Sequence, residues 1–214
     1  TQAAIKRMRP RNRGTIVQVG SALAFRGIPL QAPYCAAKHA VEGFTDSLRA
    51  ELIHEGIDIH VTQVHLPAVN TPQFGWVRNK LGHRGKPVPP IYQPEVMADA
   101  IVWAAFNKRR EVYAGYSAAQ AIVGNKLFPN LGDQYLAHNG YDAQKTNQPW
   151  SEDAPDNLFD PLDDDKDCGA HGAFNDIAKD SSWYLPLAKN RNVLFVATAL
   201  LVASVGALLG LKDD

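Results

Sequence analysis

Residues 14–38 read GTIVQVGSALAFRGIPLQAPYCAAK, and the fold is decided there. Gly14 to Gly20 is a short, β-branched apolar run bounded by glycines, the pattern of a buried strand. Ser21 stands at its C-terminal end. Gly27, Pro29 and Pro33 then mark a loop. From about Tyr34 to His54 the pattern turns helical: Ala37, Ala40, Val41, Phe44, Leu48 and Leu52 recur at steps of three and four, with Glu42, Asp46, Arg49 and Glu55 off that stripe. Gly56 is suited to end the helix, because it tolerates the left-handed backbone of a C-cap.

The alternation continues outward. Ile57 to Leu66 reads as a second strand, and the loop Pro67-Ala68-Val69-Asn70-Thr71-Pro72 follows. Trp76 to Pro90, basic and rich in proline and glycine, reads as a mobile loop. Gln93-Pro94-Glu95 opens another helix, with Pro94 in its first turn and Val96, Ala100, Ile101, Ala104 and Ala105 on its apolar side. Glu111 to Tyr116 reads as a third strand. Strand, helix, strand, helix, strand is the order of an α/β fold whose parallel sheet is covered by helices. Beyond about Ala118 the character changes, and Gly140 to Ser182 is polar, acidic and turn-rich. The expected organisation is therefore a first unit over 1–118, an extension over 119–188, and a terminal segment over 189–214.

Composition narrows the function. Hydrophobic residues make up 45% and charged residues 21% of the 214, which is globular usage rather than that of a disordered chain. Lys plus Arg and Asp plus Glu each number 22, so no net field recruits nucleic acid. Two distant cysteines, Cys35 and Cys168, exclude a disulfide scaffold and a cysteine-rich zinc site. The chain opens on Thr1 in what reads as the middle of a helix, so a missing beginning is expected.

Val193 to Leu211 reads VLFVATALLVASVGALLGL, 19 residues without a charge. As a helix it would be roughly 28 Å long, close to the hydrocarbon thickness of a bilayer. A single C-terminal membrane span is expected there. Lys189 and Arg191 at its start put the rest of the chain on the cytoplasmic side.

Ser21, Tyr34 and Lys38 carry the chemistry. Tyr34 and Lys38 are four apart on the expected helix and share a face. Ser21 ends a parallel strand, the end at which such sheets hold ligands. A free tyrosine titrates near ~10 and is a weak base at neutral pH; a fixed ammonium beside a phenol favours its ionised form. Ser21 can hold a substrate oxygen while Tyr34 gives or takes its proton. The small residues around Tyr34 allow close approach.

With this serine, spacing, tyrosine and lysine together, residues 1–116 resemble the second half of the short-chain dehydrogenase/reductase fold, a Rossmann-like doubly wound parallel sheet. The resemblance implies an NAD(P)-dependent oxidoreductase interconverting an alcohol and a carbonyl compound. Tyr34 would be the general acid/base, Ser21 the group orienting the substrate oxygen, and Lys38 a contact to the nicotinamide ribose. It further implies that Pro67, Val69 and Thr71 line the cofactor, although Ala68 replaces the family's glycine and Asn70-Thr71-Pro72 comes one residue early. No GxxxGxG turn for a pyrophosphate occurs in these residues, nor the family's proton-relay asparagine; both would precede Thr1, and the fragment by itself is expected to be inactive. The substrate would be a small molecule, apolar if the site is held at a membrane. The helix from Tyr34 to His54 would pair two copies across a two-fold axis. The alternative is a membrane-anchored scaffold that keeps the fold without turnover.

Other motifs point to little. The run from Asp163 to Gly169 spaces carboxylates like a calcium loop, but Cys168 and Phe174 stand where glycine and a bidentate glutamate are needed, so no metal is expected. Seven histidines show no paired ligand spacing. His65, at a strand end, is expected to pack rather than to touch ligand. Arg78, Lys80, Arg84 and Lys86 are read as a solvated lid over the substrate side.

Overall fold

The computed structural model describes residues 1–162, 164 and 167–190. The secondary structure runs α1 (Gln2–Met8), β1 (Gly14–Ser21), α2 (Ala32–His54), β2 (Ile59–Leu66), β3 (Ala68–Val69), β4 (His83–Gly85), β5 (Ile91–Tyr92), α3 (Pro94–Phe106), β6 (Glu111–Tyr113), α4 (Tyr116–Leu127), α5 (Pro129–Asn139), β7 (Lys145–Pro149), β8 (Ala178–Lys179) and α6 (Tyr184–Lys189), with short 3-10 turns between some of them. The central sheet has the order β1-β2-β6 and is parallel throughout. Strand alternation sends Ile16, Ile59 and Val61 to one face, where Leu48 and Leu52 of α2 and Ile5 and Met8 of α1 meet them. Val17, Val64, Leu66 and Val112 face the other way, onto Val96, Met97, Ala100 and Ala104 of α3. Both faces are covered, as a parallel sheet requires.

The helix boundaries follow their punctuation. Pro94 occupies the first turn of α3. Gly56 has φ +67°, its amide donates to Ile53 O at 3.1 Å, and that of Ile57 donates to Leu52 O at 2.9 Å. This double return closes α2 and moves the start of β2 from Ile57 to Ile59.

Several expectations need correction. The third strand stops at Tyr113, and Tyr116 already belongs to α4, because Gly115, still extended, serves as the N-cap of that helix. On α2 the buried stripe is Cys35, Thr45, Leu48, Arg49 and Leu52; Ala37, Ala40 and Phe44 are exposed. The sheet takes the face that carries Arg49, since the guanidinium finds carbonyl partners there. The loop 76–90 is not structureless: β4 lies within it and pairs antiparallel with β7 of the extension. The extension also supplies β8, which pairs with β5 in a second parallel sheet of order β3-β5-β8. A sequence poor in apolar residues can build such strands because backbone hydrogen bonds, not side chains, hold them.

Residues 193–211 lie outside the described residues, as do Asp163 and Asp165 of the calcium-like run. Among the described residues no helix is long and apolar enough to cross a membrane, and no group of His, Cys, Asp and Glu could hold a metal ion.

Candidate active site

Ser21 ends β1 and is buried. Its Oγ accepts a hydrogen bond from the Leu23 amide at 3.1 Å, starting a 3-10 turn over Ala22–Ala24. A hydroxyl has one donor and two acceptor positions, so the Ser21 proton remains available to a substrate oxygen. Helix α2 packs against this turn. Tyr34, in its first turn, is 40% exposed, so its hydroxyl-bearing ring stays accessible. One turn on, the Lys38 ammonium lies 5.6 Å from the Tyr34 ring centroid and donates to the Val19 carbonyl at 3.1 Å. Burial holds its pKa below the ordinary lysine value.

The placement of α2 depends on Arg49. Buried against β2, it donates from Nε to Val61 O at 3.0 Å, from Nη2 to Arg110 O at 2.7 Å and from Nη1 to Asp46 at 2.8 Å. These bonds span the strand under the helix and the loop before β6. They fix the rotation of α2 and so the face that Tyr34 and Lys38 present. Beside Arg49, His65 is fully buried between the rings of Phe25 and Tyr113. Burial pushes its pKa down to about 4, against the opposing pull of Glu111. His65 is a packed core residue, as its strand position suggested.

Pro67, Val69 and Thr71 sit at the C-terminal end of β2 and just beyond, partly buried. What holds them is Asn70, which sequence reasoning passed over. Asn70 is fully buried. Its Nδ2 donates to Gln93 Oε1 at 3.0 Å and to Asn175 Oδ1 at 2.8 Å, and its Oδ1 accepts from the Phe174 amide at 3.0 Å. The Gly172 amide reaches Asn70 O at 3.1 Å. The extension therefore clamps the loop from outside.

Gln144 makes a second clamp. Its Nε2 donates to Pro29 O at 2.9 Å and to Gly140 O at 2.6 Å, its Oε1 accepts from Gln31 at 2.7 Å, and its carbonyl accepts from the Lys86 amide at 2.9 Å. One buried glutamine thus ties the loop ahead of Tyr34 to the segment containing β4. Arg78 of that segment pairs with Asp156 at 2.6 Å and lies over Phe159, so it is exposed yet anchored to the extension. The signal for both clamps was weak in sequence, because amide side chains in polar loops carry no periodicity.

The residues present fit one end of a nicotinamide dinucleotide. Lys38 spends one of its three donors on Val19, which leaves two for the vicinal hydroxyls of a ribose. Tyr34 stands exposed beside it.

Residues 1–81 match the short chain dehydrogenase family. The chain is 31% identical over 216 residues to the uncharacterized oxidoreductase YxnA of Bacillus subtilis, covering 97% of this chain and 58% of that protein. It is 31% identical over 140 residues to dehydrogenase/reductase SDR family member 7B of Xenopus laevis, covering 61% of this chain and 42% of the relative. A solved short chain dehydrogenase from Burkholderia cenocepacia, in complex with NADP, aligns with a TM-score of 0.49 at 27% identity, covering 63% of this chain and 50% of that one. The chain thus spans about half the length of the curated relatives it matches. Residues 1–81, the segment that carries Ser21, Tyr34 and Lys38, belong to the short chain dehydrogenase family.

Proposed function

We propose that the whole protein is an NAD(P)-dependent oxidoreductase interconverting an alcohol and a carbonyl compound. The observation that carries the reading is the Lys38 ammonium, held by Val19 O and set beside the Tyr34 ring, two residues along the strand from Ser21. In this reading Ser21 donates its proton as a hydrogen bond to the substrate oxygen and fixes the carbonyl carbon in place. Tyr34 delivers its proton to that oxygen on reduction and recovers it on oxidation. Lys38 binds the ribose hydroxyls and favours the ionised phenol after transfer. The nicotinamide, when bound, supplies or accepts the hydride at the carbon. Val69 and Thr71 line the cofactor, in a loop stiffened by Asn70.

Residues 1–118 form the second half of the catalytic unit, 119–188 an extension that braces its loops, and 189–214 a membrane anchor that leaves the fold on the cytoplasmic side. The exposed face of α2, with Ala36, Ala37, Ala40, Gly43 and Phe44, is the surface through which two copies pair.

The test is turnover by the full-length protein with NADH and NADPH against a panel of aldehydes and ketones, and with the oxidised coenzymes against the alcohols. Coenzyme absorbance should change in step with loss of the carbonyl. Coenzyme binding without turnover on any compound would favour the non-catalytic scaffold instead.

A further inference from the structure

Because the central sheet is parallel, β1, β2 and β6 all begin at one edge. Arg9, Arg11 and Arg13 precede β1, and Lys108, Arg109 and Arg110 precede β6. Hydrogen bonds make these lead-ins one surface: the Asp58 amide, ahead of β2, donates to Asn12 Oδ1 at 3.0 Å, and Lys108 Nζ meets Asp58 at 3.3 Å. Arg109 Nη2 donates to Lys189 O at 2.8 Å, at the end of α6. The end of α6 therefore sits at this same rim.

The rim is basic although the chain as a whole is neutral. Glu55, Asp58, Asp46 and Asp99 each pair with one of its cations, but Arg11 and Arg13, both exposed, have no carboxylate partner among the described residues. Apolar groups adjoin it. Phe106 and Val102, at the end of α3, are 85% and 58% exposed, and the Arg109 guanidinium lies 5.6 Å from the Trp103 ring centroid. Cations interleaved with aromatic and apolar side chains are the composition of a membrane interface. Asp156 of the extension lies elsewhere: it pairs with Arg78, in the segment that follows the opposite ends of the strands.

We propose that this rim docks on the headgroups of an anionic lipid bilayer. The inference rests on the reading of residues 193–211 as an anchor, and adds which face meets the membrane and the charge the lipid must carry. The uncharged run begins four residues after Lys189, a span of at most ~14 Å. That tether is short enough to hold Arg11, Arg13 and Lys108 close to the leaflet, where each engaged cation contributes roughly fivefold in binding. Ser21 lies at the other end of β1, so the mouth of the candidate site opens away from the bilayer, toward soluble coenzyme and substrate.

The test uses the full-length protein reconstituted in vesicles of phosphatidylcholine alone or with phosphatidylserine added. Amide hydrogen exchange is followed at residues 9–13 and 107–110, with 83–88 as an internal control. With phosphatidylserine, exchange at the rim should slow by about fivefold or more, the factor for one cation at a charged leaflet. High salt should reverse it, since the screening length falls from about 10 Å at 0.1 M to 3 Å at 1 M. The triple variant R11Q/R13Q/K108Q should lose the effect while the control segment is unchanged. Equal exchange in both vesicle types, with protein still resistant to alkaline carbonate, would overturn the rim assignment and leave the anchor standing. Release into the carbonate supernatant would overturn both. Equal protection by single-stranded RNA in detergent would make the rim a nucleic-acid surface and sink the lipid assignment.

Discussion

The Lys38 ammonium donates to the carbonyl of Val19 at 3.1 Å, so a side chain in the second turn of α2 is bonded to the strand that ends in Ser21. This bond joins the two elements of the candidate site at a chosen distance. It also occupies only one of the lysine's donors, which is what lets a structural contact and a ligand contact coexist on one group.

Replacing Tyr34 by phenylalanine should lower kcat of the full-length protein by a factor of about 10³ or more, while the coenzyme dissociation constant changes little. The ring and its packing remain, and only the transferable proton is lost; general acid–base groups typically contribute about 10²–10⁴. Steady-state kinetics together with coenzyme titration by fluorescence check this. Turnover within a few-fold of wild type would remove Tyr34 from the reaction.

Lys38→Met should weaken coenzyme binding and rate together. It should also move the basic limb of the pH–rate profile upward, because a cation beside a phenol favours ionisation and its loss disfavours it. Lys38→Arg should restore part of the pH profile but less of the affinity, since the guanidinium places its donors differently. An unchanged profile in the methionine variant would make Lys38 only a structural link to Val19.

Gly172→Ala should destabilise the protein by about 1–3 kcal/mol, the usual cost of forcing atoms into a packed site. A Cβ at this position would lie 2.3 Å from Thr71 O and 2.7 Å from Asn70 Oδ1, so either the extension or the loop must withdraw. Gly124→Ala in α4, where no atom lies within 4 Å, is the control. Urea midpoints measure both, and equal midpoints for the two variants would show that the extension does not clamp the loop.

Acid should destabilise the fold through His65. Its folded pKa of about 4 lies below the ordinary histidine value, so the folded state binds fewer protons than the unfolded chain between about pH 6.5 and 4. The stability from the neutral imidazole is complete above about pH 6.5 and is lost as the pH falls toward 4, on the order of 3 kcal/mol in all. Glu42 works in the opposite direction: burial, with Glu111 and Asp46 nearby, raises its pKa, so its protonation favours the folded state. His65→Phe keeps a ring between Phe25 and Tyr113 and isolates the histidine contribution. Denaturation at about pH 7.5 and about pH 5 should show a smaller loss of stability in that variant than in wild type; parallel losses would count against His65 as the source.

Local rules in the sequence determined the strand ending at Ser21, the long helix closed by Gly56, the start of α3 at Pro94, and the joint position of Tyr34 and Lys38 on one helical face. Each depends on periodicity, on a glycine or proline, or on a four-residue spacing, which neighbouring residues settle among themselves. Tertiary structure decided the rest. It turned Arg49 rather than Phe44 toward the sheet, because carbonyls of β2 and of the loop before β6 were there to receive a guanidinium. It ended the third strand at Tyr113, and it drew a polar extension back over residues 29–31, 70–72 and 83–86 through Gln144, Asn175 and Gly172. Those contacts join positions about 60 to 115 apart in the chain by backbone and amide hydrogen bonds. Such bonds need a partner at the right place in space and leave no pattern in the residues that make them.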